Sequence, residues 1–221
     1  MRFQAAVFDL DGTLLNTLGD LTDACNHVCG RNGWPIFTED QVGHMVGNGI
    51  AKLVERFTPE VLRTPETLDA ALAEFTAYYG AHKADRTAPY PGTVRALAAL
   101  RAAGMKTAVL SNKADALCRP LVSRYFGDVF DVVRGKVDGV PAKPDPTSLR
   151  AVLRELGVAA ENAVYVGDSD VDVLTGHNAG LAVCGAEWGF RGREELTRAG
   201  ADLLVGSMTE LAALLLDGSA G

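Results

Sequence analysis

A chain of 221 residues with 48% apolar and 22% charged residues has material for a sizeable core, which excludes wholesale disorder and suits one large domain or a core with a smaller insert. The formal net charge of -7 argues against a general binder of nucleic acid or anionic membranes, which needs a basic face. The four cysteines, Cys25, Cys29, Cys118 and Cys184, lack the further ligands and spacing of a zinc site and read as reduced thiols of a cytoplasmic protein, while no stretch has the length of a membrane span or the form of a signal peptide.

The first predicted element is a strand over residues 3–10, with the apolar run Ala5, Ala6, Val7, Phe8 expected of a strand buried on both faces. Asp9 and Asp11 stand two apart near its end, so extended backbone sends both carboxylates to one side. Gly12 permits a sharp turn and Thr13 adds a hydroxyl; at this point an ordinary turn with capping residues explains the four equally well. A helix follows through Leu21, Ala24, Cys25 and Val28, ended by Gly30, Asn32, Gly33 and Pro35. Thr38 with Gln41 is a capping box that opens another. Gly47-Asn48-Gly49 leads into a helix over 50–57, and Pro65 starts a longer one with Leu68, Leu72, Phe75 and Tyr79 as a core stripe. Residues 16–86 therefore read as a helical cap domain without a convincing strand, inserted between segments 1–15 and 87–221 of a core domain.

Tyr90-Pro91-Gly92 marks the return. Helices are predicted over 93–103, 114–125 (with Pro120 as a break or kink), 146–156, 171–179 and 208–216. Strands are predicted over 106–110, 129–133, 163–166, 181–184 and 203–205, and residues 217–221 read as a frayed end. Strands alternating with helices imply an α/β fold with a doubly wound parallel sheet, in which ligands bind beyond the carboxyl ends of the strands. The polar groups expected at that edge are Asp9 and Asp11, the turn Ser111-Asn112-Lys113, the proline-flanked Lys143, and Asp168-Ser169-Asp170.

Asp9, Asp11, Asp168 and Asp172 form a hard-oxygen set suited to Mg²⁺ and a substrate phosphate. Ser111 and Asn112 offer a hydroxyl and backbone N–H groups to phosphate oxygens, and Lys143 can neutralise a phosphoryl group beside a carboxylate. Several residues stay open between two readings. Lys113 either touches substrate or is a solvated helix-start lysine. Gly47-Asn48-Gly49 either brings backbone N–H groups to a ligand or is a plain turn. Arg191 and Arg193 either steer an anion or belong to a solvated surface with Glu194 and Glu195. His44 reads as solvent-facing, Asp170 as a helix cap, and His177 with Asn178 as a helix end.

Taken together, Asp9-Leu10-Asp11-Gly12-Thr13-Leu14, Leu110-Ser111-Asn112-Lys113, Lys143-Pro144 and Gly167-Asp168-Ser169-Asp170-Val171-Asp172 resemble the four ordered motifs of the haloacid dehalogenase superfamily. Gly47-Asn48-Gly49, Tyr90-Pro91-Gly92 and Trp188-Gly189 are similar to the branch that hydrolyses 2-phosphoglycolate. The resemblance implies a Rossmann-like core with an inserted helical cap. It implies Asp9 as nucleophile, Asp11 as proton donor and then acceptor, and Lys143, Ser111 and Asn112 around the phosphoryl group, with Gly12 and Thr13 beside them. Mg²⁺ would be held by Asp9, the Asp11 carbonyl and Asp168, with Asp172 bound directly or through water. The expected partner is a small phosphorylated metabolite, handled by a monomer or homodimer. Phosphatases for pyrophosphate, sugar phosphates or nucleotides, a phosphosugar mutase, and a non-catalytic phosphoprotein-binding module are the rival readings. Two features qualify the match. Asn16-Thr17 stands where the family often has Asp-Ser, and Asp11 is a proton donor that the dehalogenase branch lacks.

Overall fold

The computed structural model describes residues 3–217. Its centre is β1, Ala5–Phe8, flanked by β4 (Lys106–Ala114) on one side and β6 (Ala163–Gly167) on the other. With β5 (Val132–Lys136), β7 (Ala182–Ala186) and β8 (Leu203–Val205) the six strands run in the order β5-β4-β1-β6-β7-β8, every neighbouring pair parallel. The chain leaves β1 toward β4 and β5, then returns to β1's other side with β6. Such a switch in direction opens a crevice beyond the carboxyl ends of the strands.

Alternation along β1 builds two cores. Ala6 and Phe8 pack with α5 (Thr93–Ala102), α6 (Asp115–Phe126) and α10 (Met208–Asp217) through Leu97, Leu100, Leu121, Leu211 and Leu215. Ala5 and Val7 pack with α7 (Thr147–Leu156), α8 (Asp170–Ala179) and α9 (Gly192–Ala199) through Leu149, Val152, Val173 and Leu196. A third cluster belongs to the helices α1 (Leu18–Asn32), α2 (Glu39–Gly43), α3 (Ile50–Phe57) and α4 (Pro65–His82), with Leu21, Val28, Phe57 and Phe75 at its heart. The capping box Thr38–Gln41 starts α2 as its spacing requires.

This helical layer is joined to the sheet by two short antiparallel strands, β2 (Leu15–Asn16) and β3 (Ala88–Pro89). The buried Asp20 of α1 clasps them. Its carboxylate accepts from Arg86 N (2.8 Å), Thr87 N (2.9 Å) and Thr87 Oγ1 (2.7 Å). The four cysteines are buried and free, and no helix among the described residues is long and apolar enough to cross a membrane.

Several element boundaries move. β4 continues through Ser111, Asn112 and Lys113, which were expected in a strand-to-helix turn. The extension is held by pairing of Ala114 with Lys136, across a register shift that follows Leu110. β5 starts three residues later than expected, because Asp131 is tied to Thr107 through both its N–H and its carboxylate. α6 runs through Pro120 without a break. α9 forms in the stretch read as a mixed-charge surface, anchored by the buried Leu196. Of the expected frayed end, Asp217 closes α10, and 218–221 lie outside the described residues.

Candidate active site

The turn after β1 is wound tightly around one carbonyl. Leu10 O accepts from the N–H groups of Thr13 (3.3 Å), Leu14 (3.0 Å) and Leu15 (3.0 Å). Gly12 has φ +85°, and a Cβ there would lie 2.2 Å from Asp168 Oδ2. On the other side, a Cβ on Gly189 would lie 2.1 Å from the Asp168 Cβ. Two glycines thus let backbone from separate loops close on one carboxylate. Asp168 also accepts from Thr13 Oγ1 (3.2 Å) and Phe190 N (2.8 Å), while the Trp188 indole donates to Thr13 O (3.0 Å). The Trp188-Gly189 pair thereby locks the late loop against the first motif.

Behind these groups lies a fully core-built cluster. Lys143 Nζ is 3.0 Å from Asp9 Oδ1, 2.7 Å from Asp172 Oδ1 and 3.0 Å from the Tyr165 hydroxyl. The second Asp172 oxygen accepts from Ser169 N (3.1 Å) and Ser169 Oγ (2.6 Å). Ser169, not Asp170, is therefore the residue before α8, and Asp170 only accepts from Val171 N. The loop of Lys143 is held in place by Asn178, which donates to Pro144 O (3.0 Å).

The charge of this cluster does not balance. Ligand oxygens of Asp9, Asp168 and Asp172 lie within 4.8 Å of one another against a single lysine. Burial, then the negative charges of Asp172 and Asp11, push the Asp9 carboxyl up to about 7, although Lys143 opposes them. Burial, with Asp172 and Asp9, pushes Asp168 well above the ordinary range. Asp9 Oδ1 is buried and accepts no hydrogen bond, since its approach to Lys143 has the distance of an ion pair but not the angles of a hydrogen bond. An orphaned carboxylate oxygen among excess negative charge fits a bound cation, and all-oxygen donors suit a hard divalent one.

Asp11 is served by a separate group. Lys113 Nζ lies 2.9 and 3.0 Å from its two oxygens, and Thr17 Oγ1 donates to Oδ1 at 2.8 Å. Lys113 is buried, neither solvated nor free, and donates its remaining proton to the Tyr79 hydroxyl at 2.7 Å. Burial alone would lower its pKa; the Asp11 carboxylate and the Tyr79 hydroxyl outweigh that and hold it above the usual lysine range. Thr17, one of the two residues that depart from the family pattern, is thus part of the site.

A cleft of about 560 Å³, counting the part open to solvent, lies between sheet edge and helical layer. Asp9, Asp11, Ser111, Asn112, Lys113 and Asp168 line its floor, and Val46, Gly47, Gly49, Ile50, Leu53, Phe190 and Arg191 its walls. Of the residues expected here, Lys143, Asp172, Gly12 and Thr13 stand behind the floor. Asn48 is turned to Arg56, which donates to its side chain at 2.7 Å. The Asn112 side chain is spent on backbone: it donates to Gly47 O (2.9 Å) and Lys143 O (3.1 Å), and accepts from Lys143 N (2.8 Å). It splices three segments together. Arg191 makes a second tie to the helical layer, donating to Val46 O at 2.8 Å. Arg193 instead pairs with Glu187 at the surface. His44 is exposed, as expected, with Nδ1 2.8 Å from Asp40 O.

A carboxylate-lined crevice at the switch point of a parallel sheet, with a buried lysine and a helical layer over it, defines a class of hydrolase. The chain belongs to the haloacid dehalogenase-like hydrolases, whose family pattern matches residues 6–186. Among its relatives, the phosphoglycolate phosphatase of Rhodospirillum rubrum is 37% identical over 206 residues, covering 90% of this chain and 85% of that one. A candidate phosphoglycolate phosphatase from Lactobacillus delbrueckii superposes with a TM-score of 0.93 at 31% identity, covering 97% and 99% of the two chains. CbbY from Rhodobacter sphaeroides, solved in complex with phosphate, superposes with a TM-score of 0.78 at 28% identity, covering 95% and 96%.

Proposed function

We propose that the chain is a Mg²⁺-dependent phosphomonoester hydrolase that works through an aspartyl-phosphate on Asp9, and that its substrate is 2-phosphoglycolate. The observation that carries the chemistry is the division of labour at the end of β1. Asp9 offers a buried oxygen without a hydrogen bond. Asp11, two residues on, is held separately at the cleft by its own lysine.

An Asp9 oxygen forms a bond to phosphorus as the bond from phosphorus to the leaving oxygen breaks, and Asp11 gives that oxygen its proton. A water then attacks phosphorus, passing a proton to Asp11, as the bond to Asp9 breaks. Inorganic phosphate leaves, and both aspartates return to their starting states. Lys143 offsets the charge of Asp9 and the phosphoryl group, and the Ser111 hydroxyl faces the phosphoryl oxygens. Asp9, the Asp11 carbonyl and Asp168 would hold Mg²⁺, with Asp172 behind them. The ion supplies orientation and charge neutralisation for nucleophile and phosphate. The helical layer acts as a cap over the core, excluding water and meeting the organic part of the substrate through Gly47 and Gly49.

The substrate reading rests on the relatives and on the charge of the cleft. Among the described residues its lining holds two cations, Lys113 and Arg191. Lys113 has no donor left. Arg191 uses Nη2 on Val46 O, its Nε lies 3.5 Å from Glu195 Oε1, and the residue lines the cleft with more N–H donors than these two partners take. A guanidinium there matches the carboxylate of 2-phosphoglycolate.

Asp9→Asn keeps the shape of the side chain and removes the nucleophile. Inorganic phosphate release from 2-phosphoglycolate with Mg²⁺ is expected to fall by about 10⁴-fold or more, with the fold intact by circular dichroism. Near-normal turnover in that variant would overturn the mechanism. A panel of phosphate esters ranked by kcat/KM tests the substrate.

A further inference from the structure

Two lysines are buried in the site, and the chemistry above gives work to only one. Lys113 carries three N–H donors, and the structure supplies three acceptors: Asp11 Oδ1 at 2.9 Å, Asp11 Oδ2 at 3.0 Å and the Tyr79 hydroxyl at 2.7 Å. The ammonium also sits 4.8 Å from the centroid of the Tyr79 ring. Asp11 comes from the end of β1, Lys113 from the end of β4, and Tyr79 from the last turn of α4 in the cap. Tyr79 is itself immobilised. It is fully buried, and its ring stacks on Phe75 with centroids 5.6 Å apart, which in turn packs on Phe57 at 6.1 Å.

We propose that Tyr79 is a positioning residue for proton transfer: through Lys113 it fixes the direction of the Asp11 carboxylate. The inference rests on the reading of Asp11 as proton donor and goes one step beyond it. A lysine held only by a carboxylate pivots with that carboxylate, because both ends of the pair are free to turn. A third acceptor on a rigid element removes the pivot. Thr17 then holds one Asp11 oxygen from the other side at 2.8 Å. The carboxylate is thus clamped between the start of α1 and the end of α4, so the cap sets the aim of a group that belongs to the core. Misplacement of a catalytic group by an ångström is costly to rate while leaving binding alone.

The alternative is that the Tyr79 hydroxyl merely satisfies a buried ammonium. The two differ in which substrates suffer when the hydroxyl is removed. Alkyl phosphates need a proton on the leaving oxygen, whereas a nitrophenyl phosphate departs without one. Tyr79→Phe retains the ring, its stacking and its contact with Lys113. We expect kcat/KM, which reports formation of the aspartyl-phosphate, to fall by about 10-fold for alkyl esters and to change by less than about twofold for nitrophenyl phosphate; kcat falls for any ester limited by the second step, because Asp11 also takes the proton of the attacking water. Asp11→Asn, measured on the same series, should show the same selectivity at larger size. If Asp11→Asn lowers kcat/KM equally for all esters, the reading of Asp11 as proton donor fails. If Asp11→Asn is selective and Tyr79→Phe is uniform or silent, the proposal fails and the reading stands. Adding Tyr79→Phe to Lys113→Met should cost nothing further on alkyl esters, since the relay is already cut; an additive loss would also overturn it.

Discussion

The two buried lysines use the same chemistry in opposite ways. Each pairs with carboxylate and with a tyrosine hydroxyl, at 3.0 Å for Lys143 with Tyr165 and 2.7 Å for Lys113 with Tyr79. Lys113 faces one carboxylate and takes both its oxygens, so that unit is balanced and closed. Lys143 faces Asp9 and Asp172, with Asp168 alongside, so that unit is short of positive charge. Tyr165 comes from β6 inside the sheet, whereas Tyr79 comes from the helical layer. One cluster carries an excess of negative charge within the sheet core. The other is a neutral strut between two parts of the molecule. The difference teaches where added positive charge would stabilise the molecule, and where the helical layer touches a carboxylate at the cleft.

Removing each lysine tests the distinction most severely. Lys143→Met leaves three adjacent buried carboxylates without their cation. We expect a stability loss of about 3–5 kcal/mol in denaturant unfolding without divalent ions, and turnover near background. Lys113→Met leaves Asp11 at the cleft, where water can reach it, and is expected to cost about 1–3 kcal/mol. Equal losses would erase the contrast between a charge-deficient cluster and a balanced one.

The next largest effect is that of the ion itself. Mg²⁺ at about 100 times its dissociation constant is expected to stabilise the chain by roughly 2.7 kcal/mol, because it binds the folded state alone. The rise in Tm should shrink in Asp168→Asn and persist in Tyr79→Phe. A rise equal in all three proteins would place the ion elsewhere.

The two clusters differed just as much in how far the sequence disclosed them. Asp9, Lys143 and Asp168 stand out in a single chain because each interrupts an apolar or proline-bound stretch at a strand end, and a parallel sheet collects such ends at one edge. Lys113 could not be decided, because its burial depends on Tyr79, 34 positions away in a different layer. Tyr79 looked like one more member of the stripe Leu68, Leu72, Phe75, and its ring is indeed core; nothing local reveals what its hydroxyl meets. Thr17 was visible only as a departure from a pattern. Ser111 to Lys113 read as a turn because polar residues follow an apolar run, whereas pairing with β5 keeps them extended. α9 escaped notice because Leu196 alone anchors it, too little for a helical period to show. What was legible was the sheet and its charged edge; what was not were contacts set by tertiary distance.

Arg191 belongs to neither cluster, and its expected effect is confined to one class of substrate. It lines the cleft from the loop before α9 and touches the helical layer at Val46 O. If its free donors take the substrate carboxylate, Arg191→Gln keeps a hydrogen bond donor for Val46 while losing the charge. A charge-assisted hydrogen bond is worth roughly 1.5–3 kcal/mol, so kcat/KM for 2-phosphoglycolate should fall by about 10- to 100-fold. The same variant should hydrolyse ethyl phosphate, which has no carboxylate, at nearly the wild-type kcat/KM. A parallel fall on both esters would mean that Arg191 acts as a tie between the helical layer and the sheet. In that case the helical layer would be linked to the site at three points, through Tyr79, Asn112 and Arg191, and the recognition of the carboxylate would have to come from the backbone around Gly47 and Gly49.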